Sequence, residues 1–113
     1  MATRIPDPLK RRHLVEGETD AAKALALAEA YLEEGRQQES IVFLVKAGAT
    51  EQLDRLLEEV VEAGDAFLVR QVAEGLERTL PAATWARVEA QARKLGKDRY
   101  ASEANRQAGR GED

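Results

Sequence analysis

Chemistry in this chain would have to come from carboxylates, because little else that reacts is present. There are 21 Asp and Glu against 17 Lys and Arg, with one histidine and no cysteine. Paired carboxylates can act as general acid and base, but each one here fits the polar face of a helix, and crowding on helices does not make a pair. With His13 alone, neither a multi-histidine metal site nor a Ser-His-Asp triad other than one centred on it can be assembled. Ser40 and Ser102 fall in helical segments without a glycine-rich nucleophile elbow. The lack of cysteine removes disulfides, thiol nucleophiles and thiolate metal sites. The expectation is a protein that is not an enzyme and needs no cofactor or metal.

The basic run Lys10-Arg11-Arg12-His13 could touch phosphates, or fold onto acidic residues of its own chain or of a neighbouring copy. A net charge of −4, with no broad basic surface and no stacking aromatics, disfavours nucleic acid as a partner. Acidity is concentrated. Residues 16–65 carry 13 acids and four bases, whereas residues 66–113 carry seven acids and nine bases. No apolar run is longer than Ile41 to Val45, too short for a signal peptide or a membrane span. A soluble, cytoplasmic protein without a membrane partner is expected.

The elements that hold these charges read as helices. At 113 residues the chain is the size of one domain, and with aromatics at only 4% its core must be Leu, Val and Ala, which suits closely stacked helices. Residues 1–17 read as an arm followed by a short helix, Pro8 to about Glu16, capped by Asp7 and ended by Gly17. Residues 18–108 read as the helical domain, and 109–113 as a disordered tail.

Thr19-Asp20 starts a run of strong helix formers, Ala21 to Glu34, closed by Gly35. Gln37 to Ala47 follows, with Ile41, Leu44 and Val45 on one face. Its β-branched residues also permit a buried strand. Thr50 caps the next helix, where Leu53, Leu56, Leu57, Val60 and Val61 make one stripe. Gly64 turns the chain and Asp65 caps a helix from Ala66 to about Thr79, with Gly75 inside it. Pro81 starts a helix carrying Trp85, Val88, Ala92 and Leu95 to Gly96. A last, weakly anchored helix runs from Asp98 to Ala108 with Tyr100, Ala101, Ala104 and Ala108 on one side. The fold class is therefore all-α, five to six antiparallel helices.

Gly35, Gly64 and Gly96 each sit in a turn between two helical segments, spaced by 29 and 32 residues, a period typical of stacked helical hairpins. In the first unit Leu27-Ala28-x2-Tyr31 and Ser40-x3-Leu44 flank Gly35. In the second, Leu53, Leu56 and Val60 are the large residues of the first helix, Leu57 and Val69 stand where small residues belong, and Pro81 follows. The third offers Trp85-x2-Val88 and Ala101, but Glu89 and Asn105 where a small residue and a phenylalanine would stand. Over residues 22–108 this resembles the tetratricopeptide repeats, with the pattern W-x2-L-G-x2-Y, A-x3-F and a terminal proline. The Gly-Asp turn and Leu-rich helices are also similar to the helical-hairpin solenoids of clathrin and coat-type proteins. An irregular five- or six-helix bundle is the alternative architecture.

The resemblance implies a right-handed superhelix whose first helices line a concave, peptide-holding surface. Carried over residue by residue, the exposed groove positions are Glu29 and Glu33 from the first unit and Glu51, Asp54, Glu58 and Glu62 from the second, with Arg93 and Lys94 at the edge of the third. Such a surface suits a basic peptide or protein; equally, these charges could be the solvated face of amphipathic helices. Two other roles stay open. One is a structural bundle that self-associates as a homodimer through an apolar edge near Trp85 and Leu95. The other is an accessory contact to nucleic acid through the basic arm.

Overall fold

The computed structural model describes residues 20–111, with side chains to residue 109. The expected arm, the short helix over 8–16 and the Lys10-Arg11-Arg12-His13 cluster lie outside the described residues. Among the described residues the regular structure is six α-helices: α1 (Ala21–Glu33), α2 (Gln37–Ala47), α3 (Thr50–Glu62), α4 (Ala66–Gly75), α5 (Ala82–Lys94) and α6 (Asp98–Gly111). The segment Ile41 to Val45 is helical, so the strand that its β-branched residues permit does not form. None of these helices is long and apolar enough to cross a membrane. The chain divides into two compact units, Met1–Leu53 and Asp54–Asp113.

In the first unit, the Asp20 carboxylate accepts the Lys23 backbone N–H at 2.8 Å and fixes the start of α1. Ala24, Ala28 and Ala30 are buried, and their small side chains let α2 pack closely on α1. Tyr31 and Phe43 stack across this contact with centroids 5.6 Å apart and planes 6° from parallel, a geometry that adds to their area burial. Arg36 covers the outer face of Tyr31 at 4.9 Å. The buried face of α2 is Ser40, Ile41, Phe43 and Leu44; Val45, expected on it, is 42% exposed. Ser40 can be buried because its hydroxyl donates to the Gln37 carbonyl at 2.9 Å.

Five successive helices end in the same way. A residue at the cap or just after it takes a positive φ, at Gly35, Gly48, Gly64, Glu77 and Gly96. The following N–H then reaches back five residues: Arg36 to Tyr31, Ala49 to Leu44, Asp65 to Val60, Arg78 to Ala73 and Lys97 to Ala92, at 2.7–3.0 Å. This closure satisfies carbonyls that a helix end leaves unpaired and reverses the chain within two or three residues. It also accounts for three departures from the expected boundaries. Thr50 is the first helical residue rather than a cap, since Leu53 N–H donates to the Ala49 carbonyl. Helix α4 stops at Gly75, short of Thr79, because Glu77 rather than a glycine makes the reversal and the chain must be extended before Pro81. Pro81 itself is the cap of α5, with Ala82 first in the helix.

In the second unit, the Asp65 carboxylate caps α4 by accepting the Leu68 N–H at 3.1 Å. The two halves of the last hairpin, α5 and α6, pack on each other, and α4 lies against both. Val69, Val72, Trp85, Val88, Ala92, Ala101 and Ala104 are buried. The expectation of a weakly anchored last helix omits Glu103, whose side chain is 1% exposed. Its buried carboxylate accepts from Arg70 Nη1 at 3.3 Å, from Gln107 Nε2 at 2.8 Å and from Arg106, so α6 is tied to α4 through Arg70, whose guanidinium, like that of Arg106, reaches solvent. The helix continues to Gly111, into the stretch 109–113 expected as a tail, because extending a formed helix gains one backbone hydrogen bond per residue.

Candidate functional site

The acidic residues singled out in the sequence occupy two helices. On α1, Glu29 and Glu33 are one turn apart and exposed. On α3, Glu51, Asp54, Glu58 and Glu62 follow at steps of three and four, which sets them along one side of the helix. The other side carries Leu53, Leu56, Leu57, Val60 and Val61, all buried. Burial of this stripe therefore decides where the carboxylates point.

Within the second unit the row is met by cations from the following elements. Arg78 Nη1 donates to Asp54 Oδ1 at 2.7 Å. Arg87, on α5, sets Nη2 2.8 Å from Glu62 Oε1 and 3.7 Å from Glu58 Oε2. Gln91, one turn further along, donates from Nε2 to Glu62 Oε2 at 2.8 Å. Both oxygens of Glu62 are thus engaged, and one guanidinium bridges two carboxylates. Nothing in this arrangement supplies a nucleophile or an acid–base pair. What it does chemically is hold a planar cation between Glu58 and Glu62.

Sequence reasoning missed Arg78, Arg87 and Gln91 as parts of this surface. One signal was there to read. Arg87 and Gln91 have the same four-residue step as Glu58 and Glu62, so a helix laid beside α3 would bring both donors to this stretch of the row.

The edge expected from Arg93 and Lys94 is changed as well. Arg93 donates to Glu89 Oε2 at 2.7 Å, and Asn105 on α6 donates to Glu89 Oε1 at 3.3 Å. The two positions that depart from the tetratricopeptide pattern, Glu89 and Asn105, are therefore partners across the α5–α6 hairpin. Hydrogen bonds from Arg93 and Asn105 hold the Glu89 carboxyl below its ordinary pKa. Lys94 remains exposed. Trp85 is buried and Leu95 is 54% exposed, so the apolar edge foreseen around them consists of Leu95.

No protein-family model matches the chain, and neither a curated protein nor a solved structure matches it.

Proposed function

We propose that the chain is a non-catalytic protein-interaction module of tetratricopeptide-like helical hairpins, and that its acidic first-helix face takes an arginine-bearing segment of a partner protein. The observation that carries this reading is the seating of Arg87 against Glu58 and Glu62, since an intramolecular guanidinium there is what a ligand's guanidinium would look like. Arginine is favoured over lysine because its planar fork can engage two carboxylate oxygens at once.

The hairpin pattern supports the repeat architecture. The first hairpin closes at Gly35 and Gly48 and the second at Gly64 and Glu77, each pair 13 residues apart and the two pairs displaced by 29. Ala28 and Ser40, the small positions quoted for the first unit, are fully buried between α1 and α2. Within the second unit Asp54, Glu58 and Glu62 present the binding surface along one side of α3, and within the first Glu29, Glu33 and Glu51 are exposed acidic positions of the same kind.

The test is fluorescence anisotropy with a labelled nona-arginine peptide, a nona-lysine peptide and a nona-citrulline peptide. Saturable binding in the order arginine, lysine, citrulline, weakened by salt and reduced about tenfold or more by Asp54→Lys with Glu58→Lys, supports the reading. Equal binding by the wild-type and reversed-charge proteins would overturn it.

A further inference from the structure

The link between α4 and α5 is the place where the hairpin pattern is interrupted. Two residues, Gly48 and Ala49, join α2 to α3, whereas Leu76 to Pro81 separate α4 from α5. The longer link borders a half-open cavity of about 330 Å³, lined by Arg70, Arg78, Thr79, Leu80, Trp85 and Gln107. We propose that this cavity binds a small monocarboxylate with an aromatic or branched apolar body.

Its apolar side, the floor, is Ala73, Leu80 and Trp85, all buried. Its polar wall is held in place from behind. The buried Glu103 carboxylate accepts from both Arg70 and Gln107, so one desolvated anion fixes the positions of two lining side chains. Arg78, half exposed, donates to Asp54 at 2.7 Å. A guanidinium has five N–H donors in a fork, and Glu103 and Asp54 each take an Nη1.

The one carboxylate in the lining, Glu74, is 73% exposed and stands 3.9 Å from Arg70 Nε. A pair that exposed contributes little, so a ligand carboxylate can replace it at small cost. The volume is at the lower end of ligand sites, which selects a small molecule, and the Trp85 and Leu80 floor selects against a second charge.

Trp85 is the sole tryptophan, so its emission reports occupancy directly. The full-length protein is titrated with 3-phenylpropionate, with its neutral isostere 3-phenylpropionamide, and with acetyl-Phe-Asp-amide. The proposal expects a saturable change with the acid and about tenfold weaker binding of the amide, as loss of a charge-assisted pair requires. It also expects weakening of similar size in Arg78→Gln, loss of the response in Ala73→Leu, and no change in Arg99→Gln, an exposed residue of α6 outside the cavity lining; circular dichroism checks that each variant keeps its helices. Absence of a saturable response in the wild-type protein, or equal affinity for acid and amide, would overturn it. Tighter binding of the dipeptide than of the free acid would overturn the small-molecule assignment in favour of an acidic side chain of a partner.

Discussion

A methyl group added to Gly64 would stand 2.6 Å from the amide nitrogen of Ala92 and 2.8 Å from its Cα, so the turn between α3 and α4 rests on the backbone of α5. Lys97 fastens the same contact by donating from Nζ to the Ala63 carbonyl at 2.8 Å. Gly64 also has φ +66°, where an L side chain is strained. Gly64→Ala therefore meets two penalties, left-handed strain of about 1–2 kcal/mol and a clash with backbone that cannot rotate aside. Gly35 shares the positive φ but has nothing within 4 Å of an added Cβ, so Gly35→Ala meets only the first. Urea denaturation of the two variants should show the larger loss for Gly64→Ala; equal losses would mean that the approach to Ala92 is not a constraint.

Glu77 is the one non-glycine at the five matching helix ends, with φ +53°. Its backbone makes the same closing bonds as the glycines, from its own N–H to Glu74 and from Arg78 to Ala73. The strain is therefore not offset by any difference in hydrogen bonding. Glu77→Gly should stabilise the second unit by about 1 kcal/mol, raising the denaturation midpoint. A fall in midpoint would show that glycine's greater freedom in the unfolded chain outweighs relief of the strain.

What could be read from the sequence was set by local rules. The stripe from Leu53 to Val61 buries as its spacing requires, and Asp20 and Asp65 cap the helices that their positions suggest. The helix ends were legible wherever glycine supplied the reversal and were misplaced at Glu77, because a non-glycine left-handed residue carries no residue-type signal. Val45 was misassigned since three apolar residues in the helical run Phe43 to Val45 cannot all face one neighbour. On the candidate surface, the carboxylates were visible as a row but their cations were not. The partner of Asp54 lies 24 residues away and that of Glu62 lies 25 away, separations at which only packing decides who meets whom. Glu103 was missed for the same reason: a glutamate beside alanines on a polar helix looks solvated until Arg70, 33 residues earlier, is brought to it.

That Glu103 cluster makes a sharp stability prediction. Removing Arg70 leaves the buried Glu103 carboxylate with Arg106 and Gln107 alone, a loss of about 1–2 kcal/mol because Arg70 is itself half exposed, whereas replacing both partners by apolar residues avoids the desolvation penalty. Arg70→Met should therefore be more destabilising than the double variant Arg70→Met with Glu103→Leu. A double-mutant cycle measured by chemical denaturation gives the comparison. If the single and double variants lose the same stability, the Arg70–Glu103 pair contributes no more than an exposed salt bridge would.

Glu89 gives the pH dependence a sign. Its carboxyl titrates below the ordinary value because Arg93 and Asn105 hydrogen-bond to the charged form, while the unfolded chain lacks both donors. The folded state therefore binds its proton less readily than the unfolded state. The stabilisation is fully present above the unfolded pKa of about 4.3 and is lost as pH falls through the lower folded value. Glu89→Gln removes that charge at all pH values and keeps a side chain of similar shape. The wild-type protein should thus be the more stable of the two near neutrality, with the difference shrinking as pH is lowered through the acid range. Thermal melts of both proteins from pH 7 down to about 3 test this, because a constant difference across that range would assign the effect to packing of the α5–α6 hairpin rather than to the charge.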